Sequence, residues 1–398
     1  MRTIMSIKLI QSIFLIIGTS IGAGILALPI STVSCGFWGS LLALTIVCTF
    51  MSLAALNMIK ARLCFEGEAD LATMTTELLG KRFNIVAEFC YLALLLALVS
   101  LYITIGSAWV VELLGRYAEF QISSMAAQIG FTFAIASIIY SGLGNLANIN
   151  QWITIAKLFF LVMIIVISVP DVQGIQLEAY ATLPIPATFS VLLTTFGFSI
   201  VLPSLTGYLN NDRKKLYTAL IIGSAVILLI YLAWELVAFG VIGQDNLNRI
   251  ASSQDKGTDL INTLGTLVQD PAFSKYGFGI MITAVLTSFL GVGHCLFSYL
   301  KDSLPIQNPS TKSLSSILLG FVTPVVIINL YPAGITSILG FAGIFVAFIT
   351  GILPTAMILT KEYSKRLKPV SLIEKTLALI SLVFFSGIII TEIWRILS

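Results

Sequence analysis

The sequence predicts an all-α polytopic membrane protein of about eleven transmembrane helices, and three observations lead there. Of 398 residues only 10% are charged while 57% are hydrophobic, and mean hydropathy is +0.99. A soluble domain carries about 25% charged residues, so this chain cannot cover a water-facing surface. Apolar runs close to the roughly 20 residues of one bilayer crossing recur from end to end. A water-soluble enzyme and a disordered scaffold are thereby excluded. The formal net charge of +3 is too small and dispersed for the basic patch a nucleic acid requires.

Taken in order, the apolar runs place spans at 9–33, 37–59, 84–113, 126–142, 152–169, 187–209, 216–241, 275–300, 314–330, 334–360 and 370–394. The start, Met1-Arg2-Thr3-Ile4-Met5-Ser6-Ile7-Lys8, looks like a signal peptide, but the apolar run continues past a normal h-region and predicts a retained first span. Only the charged connector 60–83 and the polar connector 242–274 are long, each with room for a short surface helix. The whole of 1–398 reads as one integral membrane domain. Cys35, Cys48, Cys64, Cys90 and Cys295 form no C-x-x-C pair, so they predict small apolar side chains rather than a disulfide frame or metal site. No cofactor is expected.

Lys and Arg in short loops stay cytoplasmic. With the N-terminus inside, the outer side receives only Arg116, Arg249, Lys256, Lys275 and Arg395 of the 22 positive residues. An odd number of spans then puts the C-terminus outside. The first span contains Gly18-Thr19-Ser20-Ile21-Gly22-Ala23-Gly24-Ile25-Leu26-Ala27-Leu28-Pro29 and the sixth Thr195-Phe196-Gly197-Phe198-Ser199-Ile200-Val201-Leu202-Pro203. Each has mid-span glycine followed by Leu-Pro. Five spans separate the copies, and an odd number inverts the second. This predicts inverted repeats over 9–169 and 187–360, with 370–394 as an eleventh helix.

Glycine loosens a helix and proline removes a donor, so the first and sixth spans are expected to be broken. Irregular backbone at membrane depth is tolerated only where it lines a cavity or is buried in protein. Freed amides favour an anion and freed carbonyls a cation; the zwitterion of an amino acid satisfies both. Gly22-Ala23-Gly24-Ile25-Leu26-Ala27 formally matches a dinucleotide fingerprint, but that motif works only between a strand and a helix.

These glycine segments, with Thr287-Ser288-Phe289-Leu290-Gly291 and Leu330-Tyr331-Pro332, resemble the bacterial aromatic amino acid permeases specific for tyrosine and tryptophan, along essentially the whole chain. The resemblance implies a LeuT-type fold of five-plus-five inverted repeats and proton-driven import of an amino acid. It also implies that the backbone of Thr19, Ser20, Ile21, Gly22, Ala23 and Gly24, with Phe196, Gly197, Phe198 and Ser199, holds the amino acid head group. The family often has His, Gly and Ser after the Gly-Phe of the sixth span, where this chain has Ser199-Ile200-Val201. Phe196 and Phe198 are candidates to close over an aromatic side chain, and Tyr102 is a further pocket candidate.

A charge at mid-bilayer costs roughly 2.5–3.5 kcal/mol, so each one inside a span needs a reason. Lys157 lies one to two turns into the fifth span. By the resemblance its ammonium is expected against the unwound carbonyls of the first span, where sodium-coupled relatives of the fold hold sodium; otherwise it snorkels as an anchor. Thr287 and Ser288 match the sodium-liganding hydroxyls of those relatives, or bond back to their own helix. His294 is a candidate proton relay, and Glu235 a proton site or interhelical carboxylate. Glu88, Glu112 and Glu392 fall near span ends, as do Trp109, Trp152 and Trp394.

The expected activity is a proton symporter importing an aromatic amino acid by alternating access. Sodium coupling, another neutral amino acid, and a passive channel or facilitator remain the alternatives. A membrane-embedded enzyme lacks a nucleophile-base set or metal cluster within the spans. The expected partners are the amino acid, protons and the lipid bilayer, without nucleic acid or an obligate protein.

Overall fold

A peptide group in hydrocarbon finds no water, so a spanning segment must satisfy its own N–H and C=O groups. The computed structural model describes residues 7–22, 24–66, 69, 71–117, 120–177, 186–253, 256–330, 342–367 and 369–397, and every regular element among them is a helix. In chain order these are α1 (Ile7–Ser20), α2 (Gly24–Thr32), α3 (Gly36–Arg62), α4 (Leu71–Leu79), α5 (Lys81–Tyr117), α6 (Ser124–Tyr140), α7 (Leu143–Ser168), α8 (Gly174–Leu177), α9 (Pro186–Thr195), α10 (Leu202–Tyr208), α11 (Arg213–Val237), α12 (Gln244–Ala251), α13 (Lys256–Val268), α14 (Phe273–Ser303), α15 (Pro309–Leu330), α16 (Ala342–Val346), α17 (Leu353–Ile358), α18 (Lys361–Arg366) and α19 (Leu372–Leu397).

Eight helical stretches among the described residues are long and apolar enough to cross a membrane, and shorter apolar helices cover Ile7–Ser20, Ser124–Tyr140 and Ala342–Ile358. The predicted Tyr331-Pro332 motif and the start of the tenth span lie outside the described residues. The long connectors carry α4 in one case and α12 with α13 in the other. Asp212 caps α11, its carboxylate accepting from the backbone N–H groups of Lys214 and Lys215, which satisfies donors that a helix start leaves open.

Burial ranks the helices. The apolar window of α14 is 83% buried, against 28% for those of α7 and α19, so α14 is the central post, packed against α1, α5, α6, α7 and α15. The outer helices turn large apolar side chains such as Phe133, Val383 and Trp394 outward; in a membrane protein this is the lipid-facing surface. Glu392, expected near a span end, lies in the last turns of α19, where it is buried against the bundle and accepts from Arg395 at 2.7 Å.

At the end of the bundle that carries Lys8, Lys60 and Arg213, polar contacts tie the elements together. Tyr208 on α10 donates to Gln11 on α1, beneath the Lys8 ammonium 5.2 Å from its ring. Lys60 pairs with Glu374 at 2.7 Å, and Arg366 pairs with Glu77.

Candidate functional site

The helical ladder of α1 ends at Ser20 and restarts at Gly24. Between them Gly22 N donates to Ser20 O at 2.8 Å and Ile25 N to Gly22 O at 3.1 Å. The predicted Ala23 lies outside the described residues. The Gly18 and Ile21 carbonyls are taken by Lys157, whose Nζ donates to Gly18 O at 3.0 Å, to Ile21 O, and to Thr287 Oγ1 at 2.6 Å. An ammonium has three donors and no acceptor, and here three acceptors surround it. Thr287 in turn donates to Thr283 O at 2.9 Å.

Lys157 is fully buried, so it does not snorkel. It lies deeper than the sequence suggests: α7 begins at Leu143, nine residues before the predicted start, because the polar stretch Asn145-Leu146-Ala147-Asn148-Ile149-Asn150 is helical. Asn150 there donates to Phe14 O on α1 at 3.5 Å, which is why a polar run is retained inside the bundle.

Thr19 and Ser288 join the same cluster. Ser288 Oγ donates to Thr19 O at 3.4 Å, and a methyl at Gly22 would lie 2.1 Å from Ser288 Oγ. Glycine at 22 is therefore a requirement of α14 approaching the break. The Tyr102 hydroxyl, from α5, also reaches Ser288. The helical bond-back and the interhelical role of these hydroxyls thus coexist.

In the sixth predicted span α9 ends at Thr195, a 3-10 turn covers Gly197–Val201, and α10 follows. Tyr231 of α11 joins the two breaks. Its hydroxyl stands 2.8 Å from Ser20 O and 2.9 Å from Thr195 O, with one proton shared between two carbonyls. Phe196 packs edge-on to Tyr231 at 5.2 Å, and Trp234 donates to Ile25 O at 2.8 Å. Ser20 Oγ and Ser199 Oγ are buried at the breaks with no hydrogen-bond partner among the described residues.

Beside the breaks lies a cavity of about 260 Å³ between α2, α5, α9, α16 and α19, lined among others by Gly24, Tyr102, Ser190, Thr194, Gly343 and Arg395. Sites for drug-sized ligands run to about 300–1,000 Å³, so this one suits a single small solute. Of the sequence candidates, Gly24 and Tyr102 line it; Phe196 and Phe198 are fully buried and Ser199 lies with them. Ser190, Thr194 and Gly343 carried no signal in the sequence, being ordinary residues of apolar helices. For Arg395 the sequence indicates only a place on the outer side.

The remaining candidates stand apart from the lysine cluster. His294 is buried on α14 and contacts Ser298 at 3.4 Å. Glu235 is fully buried on α11, with Thr32 Oγ1 3.2 Å from both carboxyl oxygens.

The sequence profile of the tryptophan/tyrosine permease family matches residues 5–394. Among known proteins the chain is 28% identical to tyrosine-specific transport system 1 of Haemophilus influenzae over 97% of this chain and 96% of that one. It is 27% identical to glutamine transporter 2 of Aliivibrio fischeri, covering 89% and 90% of the two. To a tryptophan-specific transport protein of Pseudomonas aeruginosa it is 26% identical, covering 88% and 85%.

Proposed function

The chain belongs to the tryptophan/tyrosine permease family, and from that premise we propose that it is a proton-coupled importer of an amino acid, aromatic in the first instance, and not an enzyme. In this reading eleven helices cross a bacterial inner membrane with the N-terminus cytoplasmic and the C-terminus periplasmic. They form the five-plus-five inverted repeats of a LeuT-type fold over 9–169 and 187–360, plus an eleventh helix. The two breaks hold the amino and carboxyl groups of the solute. Ser20, Ile21, Gly22, Ala23, Gly24 and the turn from Phe196 to Ser199 supply that head-group site, and the cavity beside Tyr102 takes the side chain. The orphan hydroxyls of Ser20 and Ser199 are the side-chain groups best placed to join it.

The observation that carries the coupling is the position of Lys157. A buried ammonium on the Gly18 and Ile21 carbonyls and Thr287 occupies the acceptors that a sodium ion would need. Losing its proton removes one of its three donated bonds and loosens the first break, so proton and solute binding act on one element. Alternating access follows when binding of both favours the state open to the inside.

The test is uptake into proteoliposomes. Labelled tyrosine or tryptophan is expected to accumulate above equilibrium with acid outside and no sodium. Equilibration without a gradient effect supports a facilitator, and strict sodium dependence moves coupling to Thr287 and Ser288. The glutamine-transporting relative makes glutamine the essential competitor in a panel of unlabelled amino acids: its displacing label better than tyrosine would replace the aromatic assignment.

A further inference from the structure

Each half of the broken first span meets one buried Lys or Glu side chain. Lys157 holds α1. Glu235 meets α2, at the opposite end of the span, and no ion pair is found for it among the described residues. A buried carboxylate without a cation is expensive, so its surroundings must reveal how it is satisfied. Thr32 Oγ1 has one proton and lies 2.9 Å from Leu28 O as well as 3.2 Å from both Glu235 oxygens. Ser40 also reaches the carboxyl, and its Oγ lies 2.7 Å from Phe37 O. The shorter contact of the Thr32 hydroxyl is with a main-chain carbonyl, and the Ser40 hydroxyl has a short one of its own. With both protons given to those carbonyls, the two hydroxyls offer Glu235 only lone pairs, and the carboxyl is satisfied when it carries a proton and donates it to Thr32.

Ionisation reverses these bonds. A carboxylate only accepts, so Thr32 and Ser40 must turn their protons toward it and release Leu28 O and Phe37 O. Those carbonyls belong to the last turns of α2 and the first turn of α3, so the protonation state of Glu235 sets how firmly the outer half of the broken span is tied to its neighbours. The backbone just beyond Glu235 is a π-helical turn, Ala238–Ile242, an irregularity frequent at functional sites. The ionisable groups on the elements packed against α11 are Lys8 on α1, Cys48, Lys60 and Arg62 on α3, and Lys157 on α7, with Arg213, Lys214, Lys215 and Tyr217 at the far end of α11 and Tyr231 one turn from Glu235 on α11 itself. Cys48 is bonded to Ser224 O, Lys60 to Glu374, Lys157 to the first break and Tyr231 to Ser20 and Thr195.

We propose that Glu235 is a second proton-binding site, exchanging with the outer solution and closing α2 over the bound solute when protonated, separate from the proton that Lys157 carries across. This rests on the proposed orientation and on the Lys157 reading. A proton taken from outside bonds to a Glu235 carboxylate oxygen, and the same proton returns outside when α2 reopens, so it adds nothing to the proton-to-solute ratio.

The test is Glu235→Gln in proteoliposomes, beside Lys157→Met. Exchange of labelled for unlabelled substrate is measured at equal pH on both sides, from acid to alkaline. Wild type is expected to slow on the alkaline side, approaching about tenfold per pH unit for one required proton. Glu235→Gln, locked in the neutral form, is expected to turn over several-fold more slowly while losing that alkaline limb, with the proton-to-solute ratio of net uptake retained. Thr32→Val, which keeps the shape but removes the acceptor, is expected to move the limb and not abolish it, and covers the case in which Glu235→Gln fails to fold. An unchanged limb in both variants overturns the proposal and leaves a packed carboxyl. A lost proton-to-solute ratio in Glu235→Gln also overturns it, making Glu235 the carrier of the transported proton. If Lys157→Met keeps full accumulation, the Lys157 reading falls while the Glu235 limb still reports on this one.

Discussion

The two breaks look alike in sequence and are held in different ways. The first is pinned by a charge: Lys157 fills the carbonyls of Gly18 and Ile21, and α14 presses on Gly22 so closely that a methyl there meets Ser288 Oγ at 2.1 Å. The second is held by neutral groups. Its Thr195 carbonyl shares the one proton of Tyr231 with the first break, and nothing lies within 4 Å of a methyl built on Gly197. On the proposed function, this makes the first span the controlled element and the sixth the permissive one. A charge-assisted bond is roughly twice as strong as a neutral one, and among the described residues it is the first break that a lysine amine bonds.

The largest break in this comparison is Lys157→Met. It leaves two backbone carbonyls and the Thr287 hydroxyl without their buried donor, at about 1–3 kcal/mol for each unsatisfied group. Accumulation driven by an acid exterior is expected to fall to the equilibrium level, and melting in detergent to come several degrees lower. Full accumulation would reduce Lys157 to a structural post.

Next is Gly22→Ala. Overpacking costs about 1–3 kcal/mol, so substrate affinity is expected to drop by about tenfold. The double variant with Ser288→Gly removes the clashing hydroxyl and should recover much of the loss, a coupling that a double-mutant cycle reads directly. Independent effects would mean that α14 does not press on the break. Tyr231→Phe follows with a smaller effect: it deletes one shared proton, worth about 1 kcal/mol, and should raise the KM for uptake about fivefold with little change in kcat.

Much of this arrangement is legible in the sequence. Glycine followed by Leu-Pro marks both interruptions because few residues can leave a helix in a membrane. Lys157 and Glu235 stand out because any charge does in so apolar a chain. What the sequence hides is pairing across helices. Tyr231 is one of 12 tyrosines, and nothing local says that its hydroxyl reaches two breaks. Ser190, Thr194 and Gly343 gain meaning only when α9, α5 and α16 come together around a cavity. Lys157 lies further from its helix start than the sequence suggests, because an asparagine-rich stretch reads as a connector until Asn150 finds Phe14 on α1.

Gly197→Ala is the smallest effect and the sharpest check on the asymmetry. By sequence Gly197 corresponds to the glycines of the first break, and an argument from repeat symmetry alone makes the two equally intolerant. The geometry disagrees. Gly197 is not among the glycines with positive φ, so alanine adopts its backbone without strain, and the added methyl meets open space. A substitution of that kind changes stability by about 0.5 kcal/mol or less, and uptake is expected to stay within about twofold of wild type, measured beside Gly22→Ala in the same vesicles. A loss as large as that of Gly22→Ala would mean that the turn at 197 closes on the solute during the cycle, making both breaks controlled elements and removing the distinction between them.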